Sequence, residues 1–269
     1  MKHSFLDLYR EGNSPVHRLD PRVKFLATLA FVVTASVLPA SYWPGLLGLG
    51  LIIAAAIAAA GVPARVALGR SLVALPFALL AAASLPFLRP GPALLTLRLG
   101  PWRLAATTTG LEALGAVLAR SWLSVLAAGL LTATTPFPDL LGALQGLGLP
   151  RLLVATVSFL YRYLFVLVDE AQRLWQARQA RSATSHHARS GGSLGWRAQV
   201  LGGMVGSLFI RSYERSERIY QAMLARGFQG EVRSLGRRRL SRLDWQIGLA
   251  LLLALAALVV GGRWPWLSR

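Results

Sequence analysis

The sequence contains no cysteine, which excludes disulfide bridges and thiolate metal sites. Acidic residues are scarce, with 11 Asp and Glu against 29 Lys and Arg, and four histidines leave little material for an imidazole site. Charge of either sign is sparse, at 15% of residues, while 54% are hydrophobic. Soluble domains rarely join so much apolar bulk to so basic a balance, so the two must be segregated along the chain. Met1 to Lys24 is polar and lacks the apolar core of a cleavable signal peptide.

What is present is a set of long runs without ionisable side chains. None occurs between Lys24 and Arg65, Arg70 and Arg89, Arg120 and Asp139, or Asp244 and Arg263. A bilayer crossing needs about 20 apolar residues per helix. The first run divides at Pro39–Ala40–Ser41–Tyr42–Trp43–Pro44, where two prolines and an interfacial aromatic pair suit a tight hairpin at the headgroups. Five spans follow: Phe25–Leu38, Pro44–Val62, Leu72–Leu88 with a kink or break expected from Pro76 and Pro86, Leu111–Thr132, and Trp245–Gly262. The expected fold is therefore all-α: a polytopic membrane protein with about five transmembrane helices and a cytoplasmic helical insert.

Orientation follows from the basic residues. Twenty-three Lys and Arg fall on one side of these spans and five on the other, so the amino terminus and the segment 133–243 are expected in the cytoplasm and the carboxy terminus outside. The domain plan is a four-span membrane part at 1–132, coupling helices at 133–243 and a last transmembrane helix at 244–269. Leu152–Val168 is apolar apart from Arg162 and could form a sixth span. It runs without a breaker into Asp169–Glu170–Ala171–Gln172–Arg173, which favours a helix lying on the membrane face and emerging into the cytoplasm. The +18 charge could suit nucleic acid, but with several apolar spans the basic residues serve first to hold the cytoplasmic loops.

The insert reads as three helices: Pro138–Gly146, a second from near Pro150 to Arg181, and a third from about Gly195 to Arg226, stopped by Gly227. In the third, Val205, Phe209, Tyr213, Tyr220, Met223 and Leu224 share one face. Small residues at Gly202, Gly203, Gly206 and Ser207 would admit another helix. Each long helix delivers an arginine at its carboxy-terminal tip, where unpaired carbonyls meet a fork of five donors. Before the first span, Asp20 is a good N-cap and Pro21 a good first helical residue. Arg18, Arg22 and Lys24 suit phosphate headgroups.

Three stretches together resemble the transmembrane coupling (T) component of energy-coupling factor transporters, the EcfT/CbiQ family. They are His17–Arg18–Leu19–Asp20–Pro21–Arg22–Val23–Lys24; Leu160–Tyr161–Arg162–Tyr163 with Asp169–Glu170–Ala171 and Ala180–Arg181–Ser182; and Met223–Leu224–Ala225–Arg226–Gly227–Phe228. The resemblance implies an importer in which this chain joins a substrate-capturing membrane subunit to two cytoplasmic ABC ATPases of the CbiO/EcfA kind. The Ala–Arg–Gly ends that insert into the ATPases match Ala180–Arg181–Ser182, with serine in place of the usual glycine, and Ala225–Arg226–Gly227. Arg162, Asp169, Glu170, Glu214 and Glu217 would support those helices. The Ala–Arg–Ser variant is most similar to CbiQ, implying cobalt or nickel uptake with a CbiM-like subunit and a small CbiN-like one; a vitamin-type substrate is the alternative. ATP and magnesium would belong to the ATPases, with no cofactor in this chain.

Candidate chemistry is thin. His186–His187 lies on a Ser/Gly-rich stretch without acidic neighbours, and His3 is isolated, so neither is taken as a metal site. Arg120 falls mid-span in the fourth helix, where a charge costs about 2.5 kcal/mol or more. It should pair with Glu112 or with a neighbouring subunit. A lipid-acting membrane enzyme or a self-sufficient carrier are the rival classes; the latter would require inverted repeats, and none is visible.

Overall fold

The computed structural model describes residues 9, 10, 12–99, 102–181, 193–229 and 241–267. These divide into two compact units, one of residues 2–147 with 236–269 and one of residues 148–235.

In the first unit, α1 (Pro15–Arg18) and α2 (Pro21–Val37) each begin at a proline preceded by a side-chain cap, Ser14 and Asp20 respectively. Helix α2 ends at Leu38, just before Pro39, and α3 (Trp43–Ala60) follows the turn. Gly61 closes α3 at φ 66°, a left-handed conformation that glycine adopts without a Cβ penalty. The next segment is one helical path in three pieces, α4 (Ala64–Ser71), α5 (Ala74–Ala82) and α6 (Leu85–Leu88). The expected break falls at Ala83–Ser84, next to Pro86. Helix α7 (Thr108–Thr134) is followed by α8 (Phe137–Gly146) and, after the second unit, by α11 (Arg242–Leu267).

A core of Phe31, Ala35, Leu49, Ile53, Leu123 and Leu255 joins α2, α3, α7 and α11. Close packing rests on small residues, as membrane interfaces require. A Cβ at Gly48 would stand 2.9 Å from Leu258, and one at Gly110 would stand 2.6 Å from the Pro86 backbone. Gly110 in turn lies in the first turn of α7, where its N–H donates to the capping Thr107 hydroxyl at 3.2 Å.

The segment expected to be a plain loop between the third and fourth spans contains an antiparallel hairpin of β1 (Ala93–Leu99) and β2 (Trp102–Thr107), with Leu97 opposite Leu104. Alternation through Leu95, Leu97 and Leu99 was the available signal.

The second unit is a pair of long helices, α9 (Arg151–Arg181) and α10 (Leu194–Ala225). Their bounds agree within a residue or so with the sequence expectation. Four helices, α3, α7, α9 and Arg242–Arg263 of α11, are long and apolar enough to cross a membrane. Helix α2, at 17 residues, and the shorter apolar path Ala74–Leu88 complete the membrane-compatible set. The chain is an all-α polytopic membrane protein in class, decorated by one short hairpin.

Candidate functional site

Helices α9 and α10 run antiparallel. Phe159 and Tyr163 of α9 line a cleft with Ser216 and Met223 of α10, whereas Arg173 and Arg181 line another with Trp196 and Val200. Between the two clefts Glu170, at 16% side-chain exposure, accepts from Arg211 at 2.9 Å and lies 4.0 Å from Arg173 and Arg215. Glu170, expected to support the coupling helices, thus ties them together. Glu214 and Glu217 act within α10, pairing with Arg218 at 3.9 Å and accepting from Gln221 at 3.2 Å. Arg162 is exposed on α9 and Asp169 is half-buried.

Two arginine tips end these helices. Arg226 is the C-cap of α10 and is exposed, followed by Gly227 at φ 78°. The N–H of Phe228 donates to Met223 O at 3.0 Å and that of Gly227 to Leu224 O at 2.9 Å. These are the two bonds of a Schellman close, and they satisfy carbonyls that the helix end would otherwise leave free. Phe228 then meets Phe159 edge-on, ring centroids 6.2 Å apart, so the turn beyond Arg226 is pinned to α9. Arg181 is the exposed last residue of α9, after Ala180; Ser182 lies outside the described residues, as do His3, His186 and His187. At 1.5 Å per residue the tips stand roughly 16 Å and 22 Å from Glu170, in opposite directions along the pair. Among the described residues, a Cβ at Gly202, Gly203 or Gly206 would meet nothing within 4 Å.

The amino-terminal motif builds a polar clasp in the first unit. Asp20, only 4% exposed, accepts from Arg22 N at 2.8 Å, which is the expected cap. Its own N–H donates to Asp244 Oδ1 at 3.1 Å, and Asp244 Oδ2 accepts from Ser241 N at 2.8 Å, so one carboxylate holds the starts of α2 and α11. Lys24 does not face headgroups as expected. It is 8% exposed, and its Nζ donates to His17 O, Thr134 O and Thr135 Oγ1 at 3.1 to 3.3 Å. Burying an ammonium is tolerated only when it is surrounded by acceptors in this way. Arg22 lies against Gly146 at the end of α8, where any side chain would strike the guanidinium. Arg18 is exposed and donates to Asn13 Oδ1 at 3.2 and 3.1 Å. Pro21 is buried at the first position of α2.

Arg120 also finds a different partner from the one expected. Its Nη2 donates to Leu38 O, 2.6 Å away, at the end of α2, while Glu112 is exposed. Lys24 meets Thr134, and Arg120 meets Leu38, fourteen residues further along each antiparallel helix. Arg120 therefore stands level with the Pro39–Pro44 turn and caps α2.

Among the described residues, the arrangement is a set of membrane-compatible helices together with a pair of long helices that carries a cation at each far end. The chain belongs to the EcfT/CbiQ family, the transmembrane T components of energy-coupling factor transporters: the family model for CbiQ, cobalt transport protein, matches residues 12–235. Among its relatives, an energy-coupling factor transporter transmembrane protein EcfT of Acidaminococcus fermentans is 32% identical over 96% of both chains. A cobalt transport protein CbiQ of Rhodobacter capsulatus is 31% identical over 69% of this chain and 72% of its own. The chain is also 30% identical to a putative fused cobalt transport protein CbiMQ of Methanocorpusculum labreanum, over 81% of this chain but only 35% of that longer protein.

Proposed function

We propose that the chain couples ATP hydrolysis by two cytoplasmic ABC ATPases of the CbiO/EcfA kind to movement of a substrate-capturing membrane subunit, in an importer for cobalt or nickel. The amino terminus, α9 and α10 lie on the cytoplasmic side in this reading, α9 along the membrane face although its length and hydropathy would also permit a crossing, and the carboxy terminus lies outside, in a bacterial inner membrane. The observation that carries it is the pair of exposed arginines, Arg181 and Arg226, at opposite ends of one antiparallel helix pair. Two identical or similar grooves, one on each ATPase, suit two such ends. ATP-driven approach of the grooves would then displace both tips together.

A CbiM-like capturing subunit, with a small CbiN-like one, is the partner that the fused relative suggests. ATP and magnesium reside in the ATPases, and this chain holds no cofactor.

The test is co-purification of the tagged chain with its ATPases. Each arginine contact is worth about 1.5–3 kcal/mol, so Arg181→Glu with Arg226→Glu should reduce ATPase retention by at least roughly tenfold. Undiminished retention would reject the coupling assignment. A vitamin-type substrate is the second reading, favoured by the full-length match to an EcfT. Uptake of radiolabelled cobalt against a vitamin, in cells carrying the chain with its neighbouring subunits, separates the two.

A further inference from the structure

The larger of the two clefts between α9 and α10 has a volume of about 900 Å³ and is lined by Glu170, Arg173, Arg178, Arg181, Arg211 and Trp196, among others. Of its four arginines, Arg173 and Arg211 lie within 4.0 Å of the one carboxylate. Glu170 is already oversubscribed, since Arg215 approaches it from outside the cleft as well. Arg178 stands apart from the carboxylate: it stacks on Trp175, 5.0 Å from the ring centroid, and its buried Nε meets no acceptor. A buried donor without an acceptor costs free energy that an incoming oxygen would return.

The rest of the wall is apolar. Leu174, Val200 and Met204 continue the lining, and Gly203 and Ser207 leave room. An inorganic anion would use the arginines and leave this surface in water. We propose that the cleft binds an anionic phospholipid, its phosphate held by Arg173 and Arg178 and an acyl chain lying along Leu174, Val200 and Met204. Arginine supplies the forked donors that phosphate oxygens fit. Cytoplasmic leaflets supply the anionic lipid. The proposal goes beyond the coupling assignment but rests on its placement of α9 and α10 on the cytoplasmic side; Arg181 of the cleft wall is a tip residue, whereas Arg173 and Arg178 are not.

Native mass spectrometry of the purified transporter complex in detergent, titrated with phosphatidylglycerol or with phosphatidylcholine of the same chains, tests it. The wild type should retain phosphatidylglycerol roughly tenfold more tightly, and Arg173→Gln with Arg178→Gln should erase most of that preference. Arg218→Gln, half that charge change and outside the cleft, should keep it. Equal retention of the two lipids by the wild type, or equal loss in the Arg218 variant, would overturn the site. Full displacement by millimolar inorganic phosphate would make it a small-anion site instead and also overturn the proposal. So would loss of ATPase from the double variant with no change in bound lipid, which would assign the cleft to a protein partner.

Discussion

Lys24 brings an ammonium into a buried site and surrounds it with oxygens from α1, α7 and the residue after α7. Lys24→Met would keep the stem and orphan two carbonyls and a hydroxyl, at a cost of about 1–3 kcal/mol for each group left unpaired. Thermal unfolding of the detergent-solubilised protein should show a clear drop, whereas Arg18→Met, at an exposed position, should stay within about 0.5 kcal/mol. Gly227 separates stability from coupling. At φ 78° an added Cβ costs about 1–2 kcal/mol, all of it local to the tip. Gly227→Ala should therefore lower the melting temperature by only a few degrees and weaken ATPase retention; a normal complex would show that the cap geometry is dispensable. The residues of the clasp were legible in the sequence as a motif, and Asp20 and Pro21 as a helix start. That Lys24 points inward was not, because its acceptor on α7 lies 110 residues away in sequence. Arg120 eluded the reading for the same reason: its partner is a backbone carbonyl, which no residue pattern marks.

Helix lengths were readable because breakers bound them. Pro136, Gly146 to Pro150 and Gly227 delimit α8, α9 and α10, and the apolar face of α10 keeps one period throughout. The β1–β2 hairpin was missed since a short alternating run between two strong apolar spans reads as loop. How the long helices meet was also hidden, since several acidic and basic residues on each could have paired. The structure selects Glu170 and Arg211. A double-mutant cycle of Glu170→Gln and Arg211→Gln should give a coupling of about 0.5–1 kcal/mol, the range of a partly exposed pair. Spin labels at 177 and 200 should report a broader distance distribution in Glu170→Gln, and an unchanged distribution would mean that the apolar contacts alone set the antiparallel pair.

Across the whole molecule, the two chemistries announced by composition occupy different places. Apolar residues fill the bundle of α2, α3, α7 and α11 through small-residue contacts, and arginines concentrate on α9 and α10. In the proposed coupling role, the chain presents two cations, Arg181 and Arg226, at the far ends of one helix pair. Because the sequence has no cysteine, single cysteines at 181 and 226 can be introduced without background. Labelling them with a membrane-impermeant maleimide in right-side-out and inside-out vesicles is the most direct measurement. The account predicts that both positions react only in inside-out vesicles and that bound ATPases protect both. Reaction of 181 and 226 from opposite sides of the membrane would contradict it.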